Sequence, residues 1–438
     1  MEYKKIGAIV NDIFSELIGE SAQVTEDLSN IVEVGRVITE NSTFDENYDN
    51  YVRKIIDKVG KTIFHEDSLS ESHLPIYKDS WEYGSILEKI RVEAPDAQED
   101  YTFDLENYTP DDIFTFEGAE ASEKFYNNST TFKVKISLPK RQLKSAFTSA
   151  SLMSRFISAI ENRIKFKMAM YTTALEYRTE ANLIAEKLKS GNSSSLINLF
   201  ADYVDETGNS TLTVDKALAD PDFLRYCNLK ISMIRDFISK PSILYGDGGY
   251  TNVTNPSQQT LMLLTDLDKA LSTYLYSDTR HEDYVKLSGY SSVPYWQSGG
   301  TDNNYSVRST INVIPASEGR APKSGADNRQ KIIQSGILGI LQDERACAVT
   351  CEHDEVESIN VPDARFTNFW YFRDANYLTD TDENVVIFYI DNYRPVGRFA
   401  EEPSDWDSTT YYERAKNGTY SQALIFDENT AYYTKVRS

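Results

Sequence analysis

The chain is predicted to adopt an α+β fold, on three observations. Strand-like alternation frames the middle of the sequence on both sides, about forty consecutive residues carry an unbroken helical pattern, and strands, helices and Gly-rich loops mix in between. At 438 residues the chain exceeds what one compact core usually holds, so two or more lobes are expected. Hydrophobic residues at 40% and aromatics at 12% are enough to fill them.

In chain order, residues 1 to about 60 read as polar helix, with Ile55, Ile56 and Val59 at helical spacing. The opening "MEYKKIGAIVNDIFSELIGE" begins like a signal peptide, but Asp12 and Glu16 interrupt its apolar run. It reads as an amphipathic helix on a cytosolic product. Residues 83–94 alternate as a strand does, and residues 130–139 alternate more cleanly through Phe132, Val134, Ile136 and Leu138. The two are expected to form a long two-stranded loop. Its far end, "DLENYTPDDIFTFEG", sets Tyr108, Ile113, Phe114 and Phe116 among acids. No Lys or Arg occurs over residues 92–123, whereas Lys124, Lys133, Lys135, Lys140, Arg141 and Lys144 follow, so an acidic tip and a basic base are expected. Connections this long are uncommon inside compact domains and usually functional.

Residues 149–188 carry the strongest helical signal. Leu152, Phe156, Ile160, Ile164, Met168, Tyr171 and Leu175 run down one face, and Gly191 supplies the stop. Such a helix would span ~60 Å and act as a beam between parts built from distant sequence. Residues 196–239 read as further helix, and "TLMLLTDLDKALSTYL" as a strand turning into a helix. "GDGGY" is expected to be a flexible loop, and "STINVIPAS" a short strand. Two strands are expected around a polar turn at Asp343 and Glu344. An aromatic strand, a solvated turn at "TDTDEN" and an apolar strand over residues 385–390 follow.

The bulk numbers exclude several function classes. A net charge of −23 argues against gripping nucleic acid, which needs clustered Lys and Arg. Three cysteines make no even disulfide framework. Cys347 and Cys351 lack the second ligand pair that zinc wants, and read as two small packed thiols. "TDTDEN" lacks the calcium-loop spacing, "GDGGY" fits no phosphate cradle, and "GYSSV" lacks the second Gly of a nucleophile elbow. His65, His73, His281 and His353 stand in no recognisable catalytic setting. No enzyme, cofactor, metal or membrane span is expected. Large apolar groups remote from any local core are more often interaction surface.

The order of parts resembles the major capsid fold of tailed phages, shared with herpesvirus capsid floors and encapsulin shells. More narrowly it is similar to the major head proteins of small short-tailed phages of the Picovirinae type. The likeness is carried by "NIVEVG" at Asn30, "LPKRQLKSAFTSASLMSRFISAIENRI" from Leu138, "ILQDERACAVTCEHDEVESI" from Ile340 and "FTNFWYFRDANYLTDTDENVVIFYID" from Phe366. It implies an N-terminal arm (residues 1–79), an extended loop, or E-loop (80–138), and a spine helix with the first part of a peripheral domain (139–190). An axial domain (191–345), peripheral strands (346–391) and a C-terminal tail (392–438) complete it. The tail has no counterpart in that pattern and is expected to cross to a neighbour.

The implied function is a shell of pentamers and hexamers, icosahedral or prolate, assembled in the host cytoplasm with scaffolding and portal proteins as partners. It would enclose double-stranded DNA without specific binding. A chain running from Met1 to Ser438 is not expected to have shed a large N-terminal scaffold segment. The candidate subunit-interface residues are Tyr101, Phe103, Tyr108, Ile113, Phe114, Phe116, Arg141, Lys144, Trp406, Tyr411 and Tyr412. Acids near the loop tip would meet basic residues of the next copy, around Lys140, Arg141, Lys144, Arg155, Arg163, Lys165 and Lys167. The alternative reading is a secreted or surface adhesin, and an encapsulin-like compartment is a further one.

Overall fold

The computed structural model describes residues 73–78, 87–93, 118–139, 150–209, 211–276, 287–297, 308–319, 329–361, 366–397, 401–404, 406, 410–415, 419–427, 430 and 432–436. Strands β1 (Leu87–Glu93), β2 (Glu120–Tyr126) and β3 (Ser129–Pro139) precede the long helix α1 (Ala150–Ser190). The middle of the chain supplies β4 (Leu196–Asn198), α2 (Leu199–Thr207), α3 (Val214–Ala217), α4 (Pro221–Ile238), β5 (Gln259–Leu264) and α5 (Thr265–Ala270). Short strands β6 (Ser291–Val293), β7 (Ile311–Val313) and β8 (Ile332–Gln334) follow. Then come β9 (Ile337–Asp343), β10 (Cys347–Val361), β11 (Phe366–Thr379) and β12 (Val385–Tyr389). The tail holds β13 (Tyr393–Gly397), β14 (Tyr411–Arg414), β15 (Tyr420–Gln422) and β16 (Tyr432–Lys435).

The centre is a five-stranded sheet in the order β4-β12-β9-β5-β6, buried on both faces. Period-2 alternation sends Leu261, Leu263, Val386 and Phe388 to the face covered by α2 and α4. Met262, Leu264, Val385, Ile387 and Tyr389 go to the face covered by α1. Continuous apolar runs such as "VVIFY" are what a strand needs when both faces are covered. Each such side chain contributes roughly 1.5–3 kcal/mol on leaving water.

Helix α1 joins this sheet to a second, antiparallel one in the order β10-β11-β3. Along it Ile164, Met168 and Leu175 are buried, as the periodicity predicts, whereas Tyr171 is 40% exposed. The helix stops where Gly191 turns to φ 68°, a conformation glycine adopts without strain. Gly336, at φ 74°, lies so close to the end of β12 that an added Cβ would meet the Ile390 carbonyl oxygen. Only glycine fits there.

Four expectations are corrected. The strand at residues 83–94 does not pair with residues 130–139: β1 pairs antiparallel with β2, and β3 joins β11. Strand β2, "EASEKFY", has too few apolar residues to be read as a strand from its alternation. The division at residues 345/346 does not follow sheet membership, because β12 completes the central sheet while β10 and β11 build the other. The stretch at residues 196–239 is not continuous helix but a short strand and three helices. The described part of the tail folds on its own chain as a four-stranded sheet, β13-β16-β14-β15, around Tyr411, Ala423 and Tyr432. Arg394 ties it to Asp202 and Asp205 of α2.

Two carboxylates of α1 itself are buried. Glu176 accepts from His73 Nδ1 at 2.6 Å and from the Leu74 amide at 2.8 Å, which clamps residues 73–78 against β10. Glu180 accepts from Gln342 Nε2 at 3.2 Å. Burial pushes the Glu180 carboxyl up to about 7, against the opposing pull of Gln342 and Cys347. Its contribution to stability is therefore complete below the unfolded value of roughly 4.3 and is lost as pH rises through about 7. Thermal melts of wild type and Glu180→Gln are expected to agree near pH 4 and to separate in the variant's favour by pH 8. Parallel curves over that range would show that Glu180 does not titrate on folding.

Candidate functional site

The ribbon β1-β2 has its faces the wrong way round for a free hairpin. Antiparallel register sets Lys89 opposite Lys124 and Arg91 opposite Ser122 on one face, with Leu87 opposite Tyr126 at its end. Ile90, Val92 and Phe125 fall on the other, with Glu123 opposite Ile90 and Glu88 opposite Phe125. The charged face is turned inward onto the chain. The apolar face is turned out, with Ile90, Val92 and Phe125 58%, 63% and 60% exposed.

What the charged face meets is the turn between β11 and β12. Asp380 and Glu383 are buried there, 1% and 2% exposed. Lys89 Nζ lies 2.6 Å from Asp380 Oδ2 and 2.7 Å from Glu383 Oε1. Arg91 Nη2 lies 2.9 Å from the same Glu383 oxygen. Lys124 reaches Asp380 at 2.9 Å and Asp382 at 2.8 Å. Burial pushes the Asp380 carboxyl up, but the ammonium groups of Lys89 and Lys124 outweigh it and hold it well below the usual carboxylate range. The solvated turn expected at "TDTDEN" is thus corrected to a buried, ion-paired one.

A third segment completes the anchor. Arg91 donates to Asn252 Oδ1 at 2.8 Å and lies over the Tyr250 ring at 4.5 Å. Asn252 donates to the Asp382 carbonyl at 2.6 Å. Beneath them Lys187, at the end of α1, is fully buried and donates to Asp247 Oδ1 at 2.7 Å and to the Tyr245 carbonyl at 3.0 Å. Burial lowers its ammonium from the ordinary value, and Asp247 offsets part of that. The Asp247 amide donates to the Thr381 carbonyl at 2.9 Å. Far from being a flexible loop, "GDGGY" is pinned between α1 and the acidic turn. A Cβ on Gly246 would strike the Asp382 carbonyl oxygen.

Of the sequence-predicted interface residues, Tyr101, Phe103, Tyr108, Ile113, Phe114, Phe116, Arg141 and Lys144 lie outside the described residues. Trp406 stacks on Tyr411 at 5.0 Å and packs edge-on to Tyr432 at 4.9 Å, inside the tail's own core. Tyr412 lines a groove of about 750 Å3 together with Val204, Gly208, Arg394 and Val436. Of the basic base expected for the long loop, Lys124 faces its own chain's acids and Lys133 and Lys135 belong to β3, whereas Lys140, Arg141 and Lys144 lie outside the described residues. Sequence reasoning missed Lys89, Arg91, Lys187, Asp247, Asp380 and Glu383. The one signal available was the alternation of Lys89 and Arg91 with Ile90 and Val92.

Cys347 is buried in the core and Cys351 is partly covered. Among the described residues no group of three or more His, Cys, Asp or Glu could hold a metal ion, and no helix is long and apolar enough to cross a membrane. The arrangement is an anchor, built to hold a ribbon at a set angle and present its greasy side outward.

Removing the charge that Lys89 and Lys124 share, with Asp380→Asn, is expected to cost about 2–3 kcal/mol, below the usual figure for a broken buried pair because Lys124 is half exposed. The depressed Asp380 value means this stabilisation is present above roughly pH 4 and is lost as pH falls toward the folded value. Hydrogen exchange of the β1 and β2 amides should therefore speed up in the variant at pH 7, and less so in acid. Identical exchange at pH 7 would show that the ribbon is held by something else.

Comparison with known proteins places these features. The family model described as Phi29-like phage major capsid protein matches residues 8–389. A chain in the capsid structure of Staphylococcus phage Andhra is 10% identical, with 72% of this chain and 83% of that one covered at a TM-score of 0.45. A chain in the structure of the head fibre and inner core protein of native bacteriophage P68 is 11% identical, with 72% and 83% covered at 0.48. One in the capsid structure of the cyanophage P-SCSP1u is 10% identical, with 73% and 87% covered at 0.39. None of the curated proteins compared with the chain matches it.

Proposed function

Since the chain belongs to the Phi29-like phage major capsid protein family, and so is a structural component of a phage capsid shell, we propose that the part of residues 80–138 that precedes β3 is the extended loop by which one copy grips the next, β3 itself belonging to the β10-β11-β3 sheet. The observation that carries this reading is the inverted ribbon. A stem clamped on its charged side and bare on its apolar side has its exposed side chains ready for a neighbouring copy. Burying them would yield roughly 25 cal/mol per Å2, so several hundred Å2 adds several kcal/mol per contact. Tyr101, Phe103, Tyr108, Ile113, Phe114 and Phe116 are proposed as further residues of the same contact, and Arg141 and Lys144 as the cations that meet the loop's acids.

In this reading α1 is the spine, the β10-β11-β3 sheet the peripheral domain, and the central sheet with α2 and α4 the axial domain. Copies close into pentamers and hexamers in the host cytoplasm, with scaffolding and portal proteins as the further partners. A net charge of −23 suits a container that must hold DNA without adhering to it. Tyr412 is the tail residue kept as an interface candidate: it packs edge-on to Tyr393 at 5.2 Å but borders the groove, whereas Trp406 and Tyr411 pack in the tail's own core. The role is structural and not enzymatic. The family gives the adhesin reading no support.

Phe114→Ala combined with Phe116→Ala is expected to lower shell yield at least tenfold in sedimentation and negative-stain images, while circular dichroism of the subunit stays as in wild type. Particles at wild-type yield would refute the loop contact.

A further inference from the structure

A second apolar surface lies on α4, far from the ribbon in sequence. The helix's inward face, from Phe223 and Leu224 through Ile231 to Ile238, is buried against the central sheet and α2. On the opposite side Leu229, Met233 and Phe237 recur every fourth residue, so they form one row. They are 59%, 40% and 51% exposed, and just past the helix end Ile243 and Leu244 are 57% and 53% exposed. A helix apolar on both faces is one that is covered on both.

The surface is held rigidly. Arg235 of α4 donates to the Ser288 carbonyl at 2.7 Å and to Gln259 Oε1 at 3.2 Å. Ser242 and Asn252 exchange both backbone hydrogen bonds, and Asn192 Nδ2 donates to the Leu244 carbonyl at 3.0 Å. Five large, half-exposed side chains amount to on the order of several hundred Å2, the size at which exposed apolar surface marks a contact.

We propose that the α4 row, continued by Ile243 and Leu244, is a second contact between copies of this chain in the shell, separate from the ribbon. The occupant follows from charge and assembly together. A shell subunit is surrounded by copies of itself, and copies each carrying −23 repel at long range, so their contacts must gain from surface leaving water. The rim fits a like partner: Asp236 and Lys240 are exposed, one of each sign, and can pair across the joint, while Asp222 and Arg225, already paired to each other at 2.8 Å, add no net charge to repel a copy. The inference rests on the chain being a shell subunit and not on the loop contact of residues 80–138.

The test uses Phe237→Cys in a Cys351→Ser background, since Cys227 and Cys347 are buried. Maleimide labelling of purified shells is expected to run at least tenfold slower than labelling of unassembled subunits. Equal labelling rates in the two states, or protection that disappears in shells assembled from this chain alone, would overturn the proposal. If Phe237→Cys itself blocks assembly, Ile243→Cys at the edge of the row gives the same reading. Failure of the Phe114 and Phe116 prediction would leave this labelling pattern unaltered, so the two contacts are judged separately.

Discussion

Carboxylates such as Asp380 and Glu383 cost several kcal/mol each to bury unless cations follow them in. Here the cations come from a segment nearly three hundred residues earlier in the chain, Lys89 and Arg91 on β1, with Lys124 on β2. That pairing ties the ribbon to the point where the chain leaves β11 for β12, and hence leaves one sheet for the other. A buried ion pair adds little net stability compared with a well-packed apolar contact, but it punishes every arrangement in which one partner is lost. Its effect here is on position. The ribbon can sit in one orientation, and that orientation exposes Ile90, Val92 and Phe125.

Helix α1 carries the same logic along its length. Glu176, Glu180 and Lys187 are all buried, and each binds a different piece of the chain: residues 73–78, the β9–β10 junction and the 245–247 loop. An apolar helix could have packed equally well in several registers. Fixed polar contacts at three heights leave one. A subunit whose outward parts must meet those of identical copies benefits from such a frame, because small errors in one copy's angles accumulate around a closed shell.

Both outward apolar surfaces, the ribbon and the α4 row, stand on elements fastened by polar contacts behind them. Rigid presentation lowers the ordering cost of association, so a modest area can suffice for each joint. The net charge of −23 works against unspecific clustering at long range.

Periodicity and composition alone determined the α+β class, the long helix and its Gly191 stop, the apolar strands at the centre, and the aromatic strand β11. Those signals are local, set by which faces of a helix or strand must leave water. The sequence also disclosed an acidic, aromatic-bearing insertion and a net charge unsuited to gripping DNA. Only the tertiary structure decided that β1 pairs with β2, that the "TDTDEN" turn is buried, and that Trp406 and Tyr411 pack within the tail. Each of these turns on a partner distant in sequence: a strand of alternating Lys and Ile reads the same whether its charges meet water or Asp380. Burial of a charge becomes favourable only when the fold delivers the opposite charge, and no local pattern records that delivery.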